Sequence, residues 1–184
     1  MPPTAVELTA IAPGTYEYDP VHSSVTFTVR HFGAGKFRGA FGDFDASVQV
    51  AEDGSLAIEG EVKVDSVQVK EPRLDGHLKS PDFFDAERYP EITFKSTSVK
   101  AAADGTLEIQ GDLTIKDITK SVTATGEITH TPDDGYGSAR LGVELSTTID
   151  RNDFGITWNA ELPGGILAVA NEVTLQAELE LKKS

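Results

Sequence analysis

The strictest constraint on this chain is an alternation of period two. Val173, Leu175, Ala177, Leu179 and Leu181 interleave with Thr174, Gln176, Glu178, Glu180 and Lys182. Residues two apart share one face of a strand, so this spacing builds an antiparallel strand with one apolar face and one solvated face. The same period runs through Val25, Phe27, Val29 and His31, and through Ile58, Gly60, Val62 and Val64. It returns in Leu107, Ile109, Gly111, Leu113 and Ile115, and again in Leu141, Val143, Leu145, Thr147 and Ile149. Turn formers separate these runs at Glu52-Asp53-Gly54, Ala103-Asp104-Gly105 and Pro132-Asp133-Asp134-Gly135.

Long amphipathic strands joined by tight turns close into a barrel or stack as a sandwich. The last run almost reaches the chain end and would leave a long bare edge unless it paired with the beginning, which favours a barrel. Gly39, Gly42, Gly60, Gly111 and Gly126 fall inside strands, where a curved sheet bends. Phe37, Gly39 and Phe41 have odd parity, whereas Phe44, Ala46, Val48 and Val50 have even parity, so a bulge is predicted near Gly42-Asp43. Residues 1–13 lack both a basic start and a continuous apolar core, and are expected to form a flexible arm before one domain over 14–184. Read as it stands, the chain is expected to be cytoplasmic, and periplasmic or secreted if a leader was removed.

Residues 73–90 break the pattern. Leu74, His77 and Leu78 have helical spacing, and Ser80, Pro81 and Asp82 suit the N-cap, N1 and N2 of a helical turn. A short helical insertion over about 73–85 is expected to cross one end of the barrel. Phe83 and Phe84 then serve either as a lid or as a core plug.

Composition narrows function by exclusion. A formal charge of -14 opposes nucleic acid and anionic membrane surfaces, and zero cysteines remove thiol chemistry and thiolate metal sites. No run approaches the ~20 apolar residues of a membrane-spanning helix, so stable insertion is not expected. No phosphate loop, nucleophile elbow or zinc-protease motif is present. His22 and His31 are separated by an odd number of residues, and Glu59 and Glu61 read as solvated charge, so no metal site and no acid–base pair is assigned. His31 shares the parity of Phe27 and Val29 and is expected to point inward. There it is either a core imidazole bonded to a neighbour or a polar contact for a ligand head group. Phe154, Ile156 and Trp158 alternate with Gly155, Thr157 and Asn159, so Trp158 is expected on the inner wall.

These segments resemble a known family, the YceI-like, lipocalin-like, polyisoprenoid-binding domain. The resemblance rests on Asp19-Pro-Val-His-Ser-Ser-Val-Thr-Phe-Thr-Val-Arg-His31, on His77-Leu-Lys-Ser-Pro-Asp-Phe-Phe-Asp-Ala-Glu-Arg-Tyr-Pro-Glu-Ile-Thr-Phe94, on Gly111-Asp-Leu-Thr-Ile115 with Thr119 and Val122, and on Asp150-Arg-Asn-Asp-Phe-Gly-Ile-Thr-Trp-Asn159. It implies an all-β fold, an extended eight-stranded antiparallel barrel holding a long amphipathic lipid. It implies a carrier with stress-related associations, no settled enzymatic activity and no cofactor. Many members carry a basic residue three positions before the helix histidine; here Leu74 stands there and Arg73 is displaced, which implies a less anionic ligand.

Parity and resemblance together give a ligand-binding set of Phe27, Val29, His31, Phe37, His77, Phe83, Phe84, Phe94 and Trp158. The expected partner is a long-chain isoprenoid, such as a polyisoprenoid or an isoprenoid quinone. Homodimerisation is left open. Two other readings stand beside the carrier: a lipid-directed hydrolase or isomerase using His31, and a ligand-free module whose core is filled by side chains.

Overall fold

A computed structural model describes residues 10–101 and 106–184. Its strands are β1 (Gly14–Tyr18), β2 (Ser24–His31), β3 (Gly35–Phe41), β4 (Phe44–Val50), β5 (Leu56–Lys63), β6 (Val67–Gln68), β7 (Glu91–Ala101), β8 (Thr106–Ile115), β9 (Ile118–Thr131), β10 (Arg140–Asp150), β11 (Glu161–Leu162), β12 (Ile166–Leu167) and β13 (Val169–Lys183). An eight-residue helix, α1 (Pro72–Lys79), lies between β6 and β7.

Pairing closes the sheet. The order β1-β4-β5-β7-β8-β9-β10-β13 returns to its start because β13 also pairs with β1. β1 and β2 lie end to end along β13, with Tyr18 opposite Leu181 and Phe27 opposite Leu175. β3 and β4 form the next composite strand, broken at the predicted Gly42-Asp43 bulge. β5 and β6 form the third, β5 beside β4 and β6 beside β3. The result is a closed eight-stranded antiparallel barrel without a free pair of edge strands.

One side of the barrel is incompletely zipped. β5 meets β7 only from Glu59–Lys63 against Glu91–Lys95, and β6 covers only Ala40 and Phe41 of β3. The segment 72–90 crosses this gap. Glu71 caps α1 by accepting from the Arg73 amide at 3.2 Å, and Pro72 occupies the first turn. Ser80, expected to start a helical turn, instead ends α1: its hydroxyl donates to the His77 carbonyl at 2.7 Å. A hydroxyl and an amide both aimed at a terminal carbonyl satisfy a helix end as well as they could satisfy a beginning. The following residues fold into turns, with the amides of Phe83 and Asp85 both donating to the Ser80 carbonyl.

The interior is divided lengthwise. At one end Ile11, Tyr16, Val48, Leu107, Ile109, Leu141, Val143 and Leu181 are at most 2 % exposed, a packed core. The Tyr16 hydroxyl donates to the Ala12 carbonyl at 2.9 Å, and burial raises the Tyr16 pKa. Of the arm expected over 1–13, residues 1–9 lie outside the described residues, and Ile11 belongs to the core. The predicted turn at Ala103-Asp104-Gly105 also lies outside them. Toward the other end, Val25, Val29, Phe37, Val122, Leu145, Val173 and Leu175 are only half-buried although they face inward, because side chains do not fill that half.

Candidate ligand cavity

A cavity of about 720 Å³ occupies the unfilled half, in the upper part of the ~300–1,000 Å³ range of small-molecule sites. Phe27, Val29, His31, Phe37, His77, Phe83, Phe84, Phe94 and Trp158 all border it, together with aliphatic groups such as Val25, Ile58, Val62, Leu113 and Leu175.

Glycines keep the lumen open. Gly39 sits opposite Phe27 across β2–β3, and a Cβ there would overlap the Phe27 ring; a Cβ at Gly111 would overlap the ring of Phe94. Each ring therefore lies against backbone rather than projecting into the barrel, an aromatic-over-glycine arrangement that also relieves the curved sheet. Phe27 is the hub of one aromatic group, with centroids 6.1 Å from Phe37, 5.7 Å from Phe41 and 6.1 Å from Phe84. A second group closes the mouth. His77 packs edge-on against Phe83 at 4.9 Å and Trp158 at 4.8 Å, and Phe83 and Trp158 are 5.4 Å apart. Asp82 fixes the imidazole through an Nε2–Oδ2 contact of 2.9 Å.

His31 borders the cavity as its parity predicts, but the core alternative fails: it is the last residue of β2, paired with Gly35 and Val169, and its side chain is exposed. Its ring touches Phe32, centroids 4.1 Å apart, and among the described residues no carboxylate pairs with it. The histidine held by a carboxylate at the cavity is His77. The alternation over 154–158 occurs outside any strand. Arg151–Phe154 form a 3₁₀ turn and the chain then runs irregularly, yet Phe154 and Ile156 are buried and Trp158 does face inward.

The residue that sequence reasoning passed over is Arg151, 3 % exposed. Its guanidinium donates to the carbonyls of Ala170 at 2.9 Å, Ile156 at 2.9 Å and Trp158 at 2.8 Å. Burial lowers its pKa, and among the described residues no carboxylate forms an ion pair with it. It continues the odd parity of Leu141 through Ile149, a signal that an inward cation follows the strand. Its donors are spent on backbone, so it works as the strut that holds the Trp158 loop to β13.

A polar cluster lies elsewhere, on the outside of the barrel. Ligand atoms of Asp19, His22 and Glu180 lie within 4.8 Å of one another, but Arg140 stands among them, with Nη1 2.6 Å from Glu180 and 3.5 Å from Asp19. The guanidinium supplies the positive charge such a cluster needs. Glu59 and Glu61 are likewise paired outside, with Lys95 at 3.1 Å and Lys63 at 2.7 Å. No helix among the described residues is long and apolar enough to cross a membrane.

Comparisons with known proteins agree with the barrel. Protein YceI of Escherichia coli is 37% identical over 137 residues, 73% of this chain and 71% of that protein. The crystal structure of BcnA from Burkholderia cenocepacia superposes with a TM-score of 0.74 at 22% identity, covering 89% of this chain and 98% of that one. A polyisoprenoid-binding domain from Saccharophagus degradans superposes with a TM-score of 0.67 at 10% identity, over 94% of this chain and all of the other (100%). The model of the YceI-like domain matches residues 16–181, essentially the whole barrel, and the chain belongs to the YceI-like family.

Proposed function

We propose that this protein is a carrier that holds one long-chain isoprenoid lipid inside the open half of its barrel. The observation that carries the reading is the 720 Å³ cavity, walled by aromatic and aliphatic groups and continuous with a mouth covered by His77, Phe83 and Trp158. Apolar walls reward a hydrocarbon chain in proportion to the area it removes from water, about 25 cal/mol per Å². The fold shared with a polyisoprenoid-binding domain supports the same class of cargo.

The head group is uncharged in this reading, an isoprenoid alcohol or a quinone. Leu74 stands on the cavity wall, the guanidinium of Arg151 is engaged by carbonyls, and the other two cations bordering the cavity, Arg30 and Lys36, lie exposed at its rim. His77, oriented by Asp82, is the polar group nearest the lid and supplies the head-group hydrogen bond. Trp158 is the only tryptophan, so its emission reports occupancy directly. Titration with farnesol should shift and saturate that emission, whereas farnesyl diphosphate should bind at least about tenfold more weakly, the cost of burying an unpaired charge. Equal affinity for the two would overturn the neutral head group, and no response to either would overturn the carrier.

The His77–Asp82 pair also favours a second reading, lipid-directed acid–base chemistry. Chemically altered lipid after incubation with the wild type, absent with His77→Gln, would establish it. The names of the relatives are those of a family and of a binding domain.

A further inference from the structure

The mouth of the barrel carries an exposed apolar rim, of which Phe32 borders the cavity and Leu162, Ile166 and Leu167 stand outside its lining. Among the described residues the exposed large hydrophobic side chains are Val21, Phe32, Tyr136, Leu162, Ile166 and Leu167. Four of these sit on two hairpins at the open end. Phe32 is the apex of β2–β3, and Leu162, Ile166 and Leu167 belong to β11–β12, where Leu162 faces Ile166. The hairpins are joined: the Phe32 amide donates to the Ala168 carbonyl at 3.0 Å, next to Leu167.

The β2–β3 hairpin breaks two local rules to look this way. Phe32 and Gly33 have φ of 50° and 66°, and the Ala34 amide donates to the His31 carbonyl at 3.1 Å, within a three-residue connection between the paired His31 and Gly35. Asparagine or glycine suits its first position; an aromatic residue there is strained. Arg30 stands directly opposite Lys36, a like-charge pair that weakens a hairpin. Strain kept at an exposed apex points to a role outside the fold.

Charge distribution says which role. The chain has 30 Asp and Glu, yet none falls between Pro20 and Gly42, where Arg30, Lys36 and Arg38 lie exposed. None of the three forms an ion pair among the described residues, and Glu161 is the one acid on the two hairpins. A locally cationic hairpin with an aromatic tip, beside an apolar ledge, fits a surface that is phosphate outside and hydrocarbon beneath. The net charge of -14 does not forbid this. The Debye length is about 8 Å at physiological ionic strength, whereas β13 runs 15 residues, about 50 Å at ~3.3 Å each. Carboxylates at the packed end are several screening lengths from the mouth; Asp150 and Glu172, paired across β10–β13 beside the Val173–Val29 pair, are nearer and set the hairpin cations apart from a uniformly basic surface.

We infer that the open end of the barrel docks on a phospholipid bilayer, with Phe32, Leu162, Ile166 and Leu167 entering the interface and Arg30, Lys36 and Arg38 meeting lipid phosphates. The inference rests on the carrier reading, since docking there lets an isoprenoid pass between bilayer and cavity without crossing water. It extends the composition argument, which weighs the whole chain and misses a local reversal of sign.

Phe32→Asn separates docking from folding, because asparagine removes the ring and suits the positive φ. The expected result is a variant at least as stable as the wild type. Its sedimentation with phosphatidylcholine vesicles containing phosphatidylglycerol should fall about tenfold, the scale of one buried aromatic ring. Arg30→Gln with Lys36→Gln should remove the preference for phosphatidylglycerol over pure phosphatidylcholine vesicles. Ile166→Gln, whose side chain lies outside the cavity lining, should weaken vesicle binding while leaving farnesol binding without vesicles, read from Trp158, unchanged. A wild type that docks but ignores farnesol would sink the carrier and leave docking standing. Vesicle binding unaltered by Phe32→Asn, or no wild-type binding at all, would overturn docking. A wild-type dimer that Phe32→Asn dissociates would give the rim to a second copy and overturn it too.

Discussion

At the residue scale, Arg151 shows how one buried cation supports the cavity without touching a ligand. Arg151→Leu leaves three carbonyls without donors, at about 1–3 kcal/mol each, and the relief of a buried charge offsets part of that. A net loss of about 2 kcal/mol is expected in urea unfolding, with Trp158 emission moving to longer wavelength as its loop loosens. Unchanged emission would mean the loop is held by other contacts. Arg140 has an opposite character, working on the outer face at the packed end. Its Nε donates to Asp134 at 2.8 Å, and this bond holds the Asp134 carboxyl down at about 2. A depressed carboxylate stabilises the fold above its unfolded value of ~3.9, and that contribution is lost as pH falls through the folded value. NMR titration should therefore show Asp134 charged well below pH ~3.9, and Arg140→Gln should return its midpoint toward that value. The sequence made the inward positions legible because parity needs only two-residue counting. It could not show how exposed an inward position is, which is why His31 reads as either a core or a head-group imidazole and stands exposed at the cavity's edge.

At the element scale, the strands were legible and the crossing segment only partly so. Alternation fixed the faces of β8, β10 and β13, and the parity flip located the break between β3 and β4. The composite strands were hidden, because β1 and β2 become one strand only through their shared partner β13. The ends of α1 were obscured by Ser80-Pro81, which chemically suits either end of a helix. Residues 154–158 placed Trp158 correctly on the inner side although they form no strand, because alternation can also arise in an irregular segment pinned from inside, here by Arg151. The segment 72–90 covers the incompletely zipped side with little burial of its own: within it Leu78, Phe83 and Asp85 are the buried residues. Few buried contacts and a short helix make it the part of the scaffold that opens most readily. Amide exchange should be faster over 73–85 than over 107–115 or 173–181, and should slow when isoprenoid is bound. Equal protection in all three segments, unaltered by lipid, would make Phe83 and Phe84 a plug rather than a gate.

At the scale of the whole molecule, the barrel divides its labour along its axis. Bulky Tyr16, Leu107, Ile109, Leu141 and Leu181 fill one end and supply a packed core. Smaller or glycine-backed groups line the other end, where Gly39 and Gly111 let Phe27 and Phe94 lie flat. This division was not legible in the alternation, since parity says which face is inward and nothing about how far a side chain reaches across. In the proposed function the open half holds an isoprenoid chain. The most direct test is organic extraction of the protein purified without added lipid, read by mass spectrometry alongside a native mass measurement. One polyprenyl compound per barrel, an alcohol or a quinone, is the expected result. An extract free of such lipid, with a native mass equal to that of the bare chain and no uptake of added polyprenol, would contradict it.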